Sequence, residues 1–439
     1  VSRPQASGAP RRVLGFWMCT ALVMGNTIGM GIFLLPASLA PYGWNALVGW
    51  VVTVLGCVLL ARVFARLARR LPGEDGPFAW IRVALGPRAA FVVGWCYWVS
   101  VWVTLATLAV GVVGYLGALW PPLAALPAWP LALALVWTFV GVSLLGARAG
   151  GGVQVATTAL KLLPMVAMAA LGAWLLATEP AALRTDYPRA DLSFGAVLAA
   201  STIALFAMLG IESASFPARS VREPERTIPR ATLVGTVLTG LVYIAVCAVP
   251  MLLLPPERLA ASGAPFADAF ESVLGQGSGR WIALFVAVSG LGALNGWTLL
   301  AGELTRTMAR EGALPAALGA GNRHGAPWSG LLLSGMLASG MVVMSYSGTL
   351  AQGFTFLTTV VTAANLPLYL GCALALLALW RRDPPASRDA AAWAALLGGG
   401  YAMFAFAGVG AESLAWALAL AASGVPVYLW ARARARASA

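Results

Sequence analysis

Charged side chains are scarce in this chain, at 10% of its 439 residues, where an ordinary soluble domain carries about 25%. That shortage argues against a water-soluble enzyme. Histidine is almost missing: His324 stands alone, beside Arg323 in the polar segment 319–327, so neither a histidine metal centre nor a histidine acid–base pair has material. The five cysteines, Cys19, Cys57, Cys96, Cys247 and Cys372, all fall inside apolar runs without paired spacing. No disulfide framework, zinc site or other cofactor is expected from them. Lysine occurs once, at position 161.

What is abundant is apolar. Hydrophobic residues make up 60% of the chain and the mean hydropathy is +0.83. The net charge of +12 comes from short basic clusters between long apolar stretches, a pattern of membrane topology and not of a nucleic-acid-binding face. No nucleic-acid partner is expected; the lipid bilayer is.

No charge lies between Arg12 and Arg62, between Arg88 and Arg148, or between Arg323 and Arg381. A spanning helix needs roughly 20 apolar residues, so each interval holds two spans, joined at Pro41–Gly43, Trp120–Pro122 and Ser345–Gly348. Single spans are expected at about 152–177, 195–218, 231–254 and 281–308, with two more in 390–431, broken near Gly408–Glu412. This predicts an all-α integral membrane protein of twelve transmembrane helices. With the N-terminus inside, 23 of the 27 arginines are cytoplasmic and only Arg184, Arg189, Arg258 and Arg280 face out. The positive-inside rule then places both termini in the cytoplasm, in a cytoplasmic (inner) membrane. The first apolar run follows basic residues but no small-residue cleavage site, and is expected to be a retained helix. Short loops leave no room for an extramembrane catalytic domain.

Span one reads Gly25-Asn26-Thr27-Ile28-Gly29-Met30-Gly31, then Pro36. Each glycine weakens a helix by roughly 1 kcal/mol; in lipid a break survives only where it lines a cavity or is buried in protein. Close packing through small residues is the alternative. Span six is interrupted at Gly210-Ile211-Glu212-Ser213-Ala214-Ser215-Phe216-Pro217. Paired breaks in the first helix of each half point to an inverted repeat with a midplane site. Freed amides there attract a carboxylate and freed carbonyls an ammonium, matching the two ends of a free amino acid.

Three ionisable residues lie deep in expected spans, Lys161, Glu212 and Glu303, and each costs at least about 2.5 kcal/mol on insertion scales. Glu303 and Arg306 are spaced i,i+3 and can neutralise each other. Glu212 has no basic neighbour at helical spacing until Arg219, and Lys161 and Glu212 are expected to couple transport to an ion or a proton, a structural salt bridge being the alternative for Lys161. Tyr97, Trp98, Phe206 and Trp297 sit in or near mid-span, away from the interfacial belt that accounts for most of the 18 tryptophans.

These motifs resemble the amino acid–polyamine–organocation transporters, most closely the bacterial arginine/agmatine antiporter group. The resemblance rests on Gly29-Met30-Gly31-Ile32-Phe33-Leu34-Leu35-Pro36-Ala37, Gly210-Ile211-Glu212-Ser213-Ala214-Ser215, Gly296-Trp297-Thr298-Leu299-Leu300-Ala301-Gly302 and Met308-Ala309-Arg310-Glu311-Gly312-Ala313-Leu314-Pro315. It implies a leucine-transporter-like five-plus-five inverted repeat with helices 1 and 6 broken. The first repeat would be 14–177, after a tail 1–13; the second would be 195–382, followed by spans at 390–431 and a tail 432–439. It also implies that Asn26 is the unwound-helix asparagine, Glu212 a proton-sensing carboxyl and Trp297 a gate.

Departures from the group stand at Met30 for a carboxylate-binding serine, Phe206 for a stacking tryptophan, Ala207 for a serine and Leu105 for an asparagine. Each removes a polar or cation–π contact. Val153-Gln154-Val155 with Lys161-Leu162-Leu163 is similar to sodium-independent neutral carriers, in which a lysine replaces sodium. The expected substrate contacts are Asn26, Thr27, Gly29, Met30, Gly31, Tyr97, Ser100, Leu105, Phe206, Ala207, Gly210 and Trp297, with Lys161 and Glu212 as coupling residues. The expected function is sodium-independent exchange or proton-coupled transport of neutral apolar amino acids. The alternative is antiport of cationic amino acids and their decarboxylated amines. Protons and a second copy of the chain, as a homodimer, are the other expected partners.

Overall fold

The computed structural model describes residues 14–72, 74, 76–146, 160–183, 192–215, 221–346, 348–384 and 390–437. Within them the backbone is helical, and the one β-type pairing is an isolated bridge between Leu14 and Val221. Helix is what an apolar chain in lipid must form, because no water is present to satisfy its peptide groups.

The helices that frame the site are α1 (Phe16–Thr27), α2 (Gly31–Leu39), α3 (Trp44–Arg70), α4 (Gly76–Leu85), α5 (Pro87–Leu119), α6 (Ala128–Leu144), α7 (Leu162–Thr178), α8 (Phe194–Leu205), α9 (Pro224–Leu253), α10 (Gly279–Arg310), α11 (Trp328–Ser345), α12 (Leu350–Arg382), α13 (Ala391–Ala407), α14 (Ala411–Ala422) and α15 (Gly424–Ala437). Their ends follow local chemistry. Pro87 and Pro224 open α5 and α9 at first-turn positions that need no N–H. Thr349 and Gln352 form a reciprocal capping box at the start of α12.

Among the described residues eight helical segments are long and apolar enough to cross a membrane, and α1 with α2 is as well when taken as one span bent by 49°. Three further apolar helices, α6, α7 and α13, have 17 residues each. The chain is a multi-pass membrane protein. The expected junction at Pro41–Gly43 is a 3-10 turn ending at Gly43 (φ +54°), and the one at Gly408–Glu412 turns at Gly410 (φ +84°) and runs into the first turn of α14; a side chain at either glycine would be strained. Of the apolar stretch of α5, 89% is buried, against 11% for the stretch spanning α14 and α15. α5 is therefore the axial helix, packed along α10 and α12, while α3 packs on α8 and α9. The C-terminal helices lie at the rim.

Candidate functional site

The first break opens where α1 stops at Thr27 and α2 restarts at Gly31. A Cβ on Gly25 or Gly29 would meet nothing within 4 Å, so close packing does not account for these two glycines. Gly31 differs: its Cβ would lie 2.7 Å from Cε1 of Phe206, so the Phe206 ring rests directly on the restarting helix.

The second break begins where α8 tightens into a 3-10 turn at Phe206–Met208 and continues through Leu209 and Gly210 into a second one at Ile211–Ser215. Gly210 has φ +103°, and its Cβ position lies 3.2 Å from the carbonyl oxygen of Asn26. The two breaks touch there. Phe216 and Pro217, the end of the expected interruption, lie outside the described residues.

The carbonyls freed at the end of α1 are already largely taken. The Lys161 ammonium donates to the oxygens of Gly25 and, at 3.1 Å, Ile28. Tyr243 Oη donates to Thr27 O at 3.0 Å. A cation at a helix C-terminus is favourably placed against the dipole. Lys161 is 8% exposed and makes no ion pair with a described residue. The Val153–Val155 part of its motif lies outside the described residues. At the start of α2 the Phe33 amide donates to Met30 O at 3.2 Å, and no side chain caps the first-turn amides of Gly31 and Ile32. The carbonyls expected to receive a substrate ammonium are thus mostly occupied by protein groups, whereas of the amides expected to receive its carboxylate those of Gly31 and Ile32 have no side-chain cap.

Between the breaks lies a cavity of about 30 Å³, room for a water or two and too little for an amino acid. Of the expected contacts it is lined by Asn26, Thr27, Gly29, Met30, Gly31, Ser100, Phe206, Ala207 and Trp297. Thr104, Leu108, Leu209, Val361 and Asn365 complete it. Met30 is sunk between Gly111 and Gly290, whose Cβ positions would lie 2.7 Å from its Cγ and 2.8 Å from its Sδ; a larger residue at either glycine would expel it. Phe206 lies edge-to-face with Phe354 at 6.1 Å, forming an aromatic wall with Gly31 beneath it.

Three expected contacts are placed elsewhere. Leu105 is fully buried in the core and does not line the cavity. Gly210 supports the break without lining it. Tyr97 turns to Phe78, at 5.2 Å between rings, and to the surroundings of Glu212. Trp98, one of the mid-span aromatics, donates instead from Nε1 to Thr305 Oγ1 at 2.8 Å, tying α5 to α10.

Glu212 is 2% exposed, and its Oε2 accepts a hydrogen bond from Tyr369 Oη at 3.2 Å. The carboxyl thus ties the second break to α12. Glu303 pairs with Arg306 at 3.3 Å at one end of α10, the neutralising arrangement their spacing implies. His324 is exposed and accepts from Arg323 Nε at 3.0 Å, in a surface loop. Among the described residues no group of His, Cys, Asp and Glu is arranged to hold a metal.

Sequence reasoning overlooked Asn365, Thr104, Tyr243 and Tyr369. Asn365 carried a usable signal, a lone amide in the apolar run of α12; the others did not stand out.

Two touching helix breaks around a small cavity in a multi-pass helical bundle are the arrangement expected of a membrane transporter. The chain matches the amino acid permease family over residues 14–428 and belongs to it. It is 33% identical over 368 residues to the cadaverine/lysine antiporter of Escherichia coli (strain K12), covering 82% of each chain. It is 28% identical over 414 residues to the putrescine transporter PotE of the same strain, covering 93% of each. A putative arginine/ornithine antiporter of Bacillus subtilis (strain 168) is 28% identical over 391 residues, with 82% of this chain and 83% of that one covered. The chain is a transporter and not an enzyme, in the group of basic amino acid and polyamine antiporters.

Proposed function

We propose that this chain exchanges a cationic amino acid for a decarboxylated amine across a bacterial inner membrane, without sodium. The observation that carries the reading is the cavity between the two breaks, with the uncapped Gly31 and Ile32 amides of α2 offered to a carboxylate and the polar side chains of Ser100, Thr104 and Asn365 on the opposite helices. The names of the relatives, for lysine, cadaverine, putrescine, arginine and ornithine, support a cationic ligand over the neutral one expected from Met30, Leu105 and Phe206. Of these, Leu105 and Phe206 remove partners suited to a guanidinium and Met30 removes one for the carboxylate, while Asn365 supplies a polar group to the same cavity. The apolar lining, Met30, Leu108 and Val361, is what favours the second reading, a neutral amino acid.

In the proposed arrangement the three 17-residue helices, at the short end of the roughly 17–25 residues that span a bilayer, are the remaining spans of a twelve-helix topology with both termini cytoplasmic. Residues 14–177 and 195–382 form the two inverted repeats, and 390–431 the last two spans, free to pair two copies of the chain. Lys161 holds the end of α1 in place of a bound cation, and Glu212 carries the coupled proton. The test is counterflow in proteoliposomes. Vesicles loaded with cadaverine should take up labelled lysine at the same rate in sodium and in choline buffer, and empty vesicles should not. Uptake of leucine without uptake of lysine, or a requirement for sodium, overturns the reading.

A further inference from the structure

We propose that Asn365, together with Ser100 and Thr104, forms an ammonium-selective end of the substrate cavity, one that takes lysine-type side chains and diamines in preference to guanidinium compounds. The inference rests on the cationic-substrate reading above. Asn365 is 2% exposed, lines the cavity, and its side-chain oxygen has no hydrogen-bond partner. A buried polar group left in this way is costly unless something else completes it, and the cavity is what lies beside it.

The two neighbouring hydroxyls narrow the chemistry. Ser100 Oγ donates its proton to Tyr97 O at 2.7 Å, and Thr104 Oγ1 donates to Ser100 O at 2.7 Å. Each hydroxyl has one hydrogen, so both present only lone pairs to the cavity. With the Asn365 oxygen they make three neutral acceptors, the number that an ammonium with its three hydrogens requires. A guanidinium offers five N–H groups in a rigid planar fork, and would leave donors unpaired in a space otherwise walled by Met30, Leu108 and Val361. That apolar wall suits a methylene stem, with the ammonium at its end.

The test uses the full-length chain in liposomes, with lysine, cadaverine, arginine, agmatine and norleucine competing for exchange; norleucine is lysine without its terminal nitrogen. The wild type should prefer lysine and cadaverine to the other three. Asn365→Leu should weaken lysine and cadaverine about 10- to 100-fold, the loss of one hydrogen bond to a charged group, with norleucine unchanged. Asn365→Asp keeps the shape and should hold or tighten both cations, which separates the proposal from misfolding. Equal losses for lysine and norleucine in Asn365→Leu, no loss at all, or loss of the cations in Asn365→Asp would overturn the inference while leaving exchange of cations intact. A wild type that exchanges norleucine but not lysine would overturn the antiport reading and this inference with it.

Discussion

Replacing Lys161 by alanine removes the donor that holds two carbonyl oxygens at the end of α1, those of Gly25 and Ile28. A hydrogen bond from a charged donor contributes about 1.5–3 kcal/mol, so both together contribute about 3–6 kcal/mol to keeping the α1 tip seated. Tyr243 still holds Thr27 O and Arg222 N still donates to Leu14 O at 2.9 Å. The helix should therefore swing and not unfold. A loss of even about 3 kcal/mol shifts the balance between seated and displaced α1 by more than a hundredfold. The expected outcome is a folded protein, monodisperse in detergent, with exchange abolished and faster amide hydrogen exchange across residues 20–31. Lys161→Gln retains a neutral donor and should recover part of both. Wild-type exchange rates in Lys161→Ala, together with unchanged protection in that segment, would refute the bracing role. A requirement for sodium in the wild type would refute the idea that the ammonium stands in for a bound cation.

The other expected outcomes are narrower. Glu212→Gln preserves the acceptor for Tyr369 Oη but cannot titrate, so the pH dependence of exchange should flatten while substrate binding persists; an unaltered pH profile would move the proton role elsewhere. Gly31→Ala puts a methyl 2.7 Å from Cε1 of Phe206 and should cut affinity at least tenfold by displacing the ring, with recovery in the double variant Gly31→Ala/Phe206→Ala; no recovery would mean that the ring is not what the methyl meets. Gly210→Ala forces a side chain into φ +103° and toward Asn26 O, at a cost of about 1–3 kcal/mol, and should lower both thermal stability and exchange rate. Trp98→Phe removes the 2.8 Å bond to Thr305 and should lower stability by about 1 kcal/mol with substrate preference unchanged, read by thermal unfolding and competition.

The membrane character of the chain, the places where its helices break and the isolation of Lys161 and Glu212 are all written in one dimension. Apolar runs, local glycine clusters and a lone charge need no knowledge of neighbours, because lipid acts on each directly, favouring the first and penalising the other two. Which face of a helix meets the cavity is not of that kind. Along α5, Ser100, Thr104 and Leu108 line the cavity at i, i+4 and i+8 while Leu105 is buried in the core; one residue further along a helix is a turn of about 100°. The period is legible in the sequence, but its phase is set by the packing of α5 against α10 and α12. For the same reason Phe206 and Trp297 face the cavity while Tyr97 and Trp98 turn to Glu212 and Thr305. Occupation of the freed α1 carbonyls by Lys161 and Tyr243, and the arrival of Asn365 beside Ser100 and Thr104, depend on contacts between segments more than a hundred residues apart in the chain. Only the folded bundle brings those segments together, and so only the tertiary structure decided which polar atoms were spent on the fold and which were left facing the cavity.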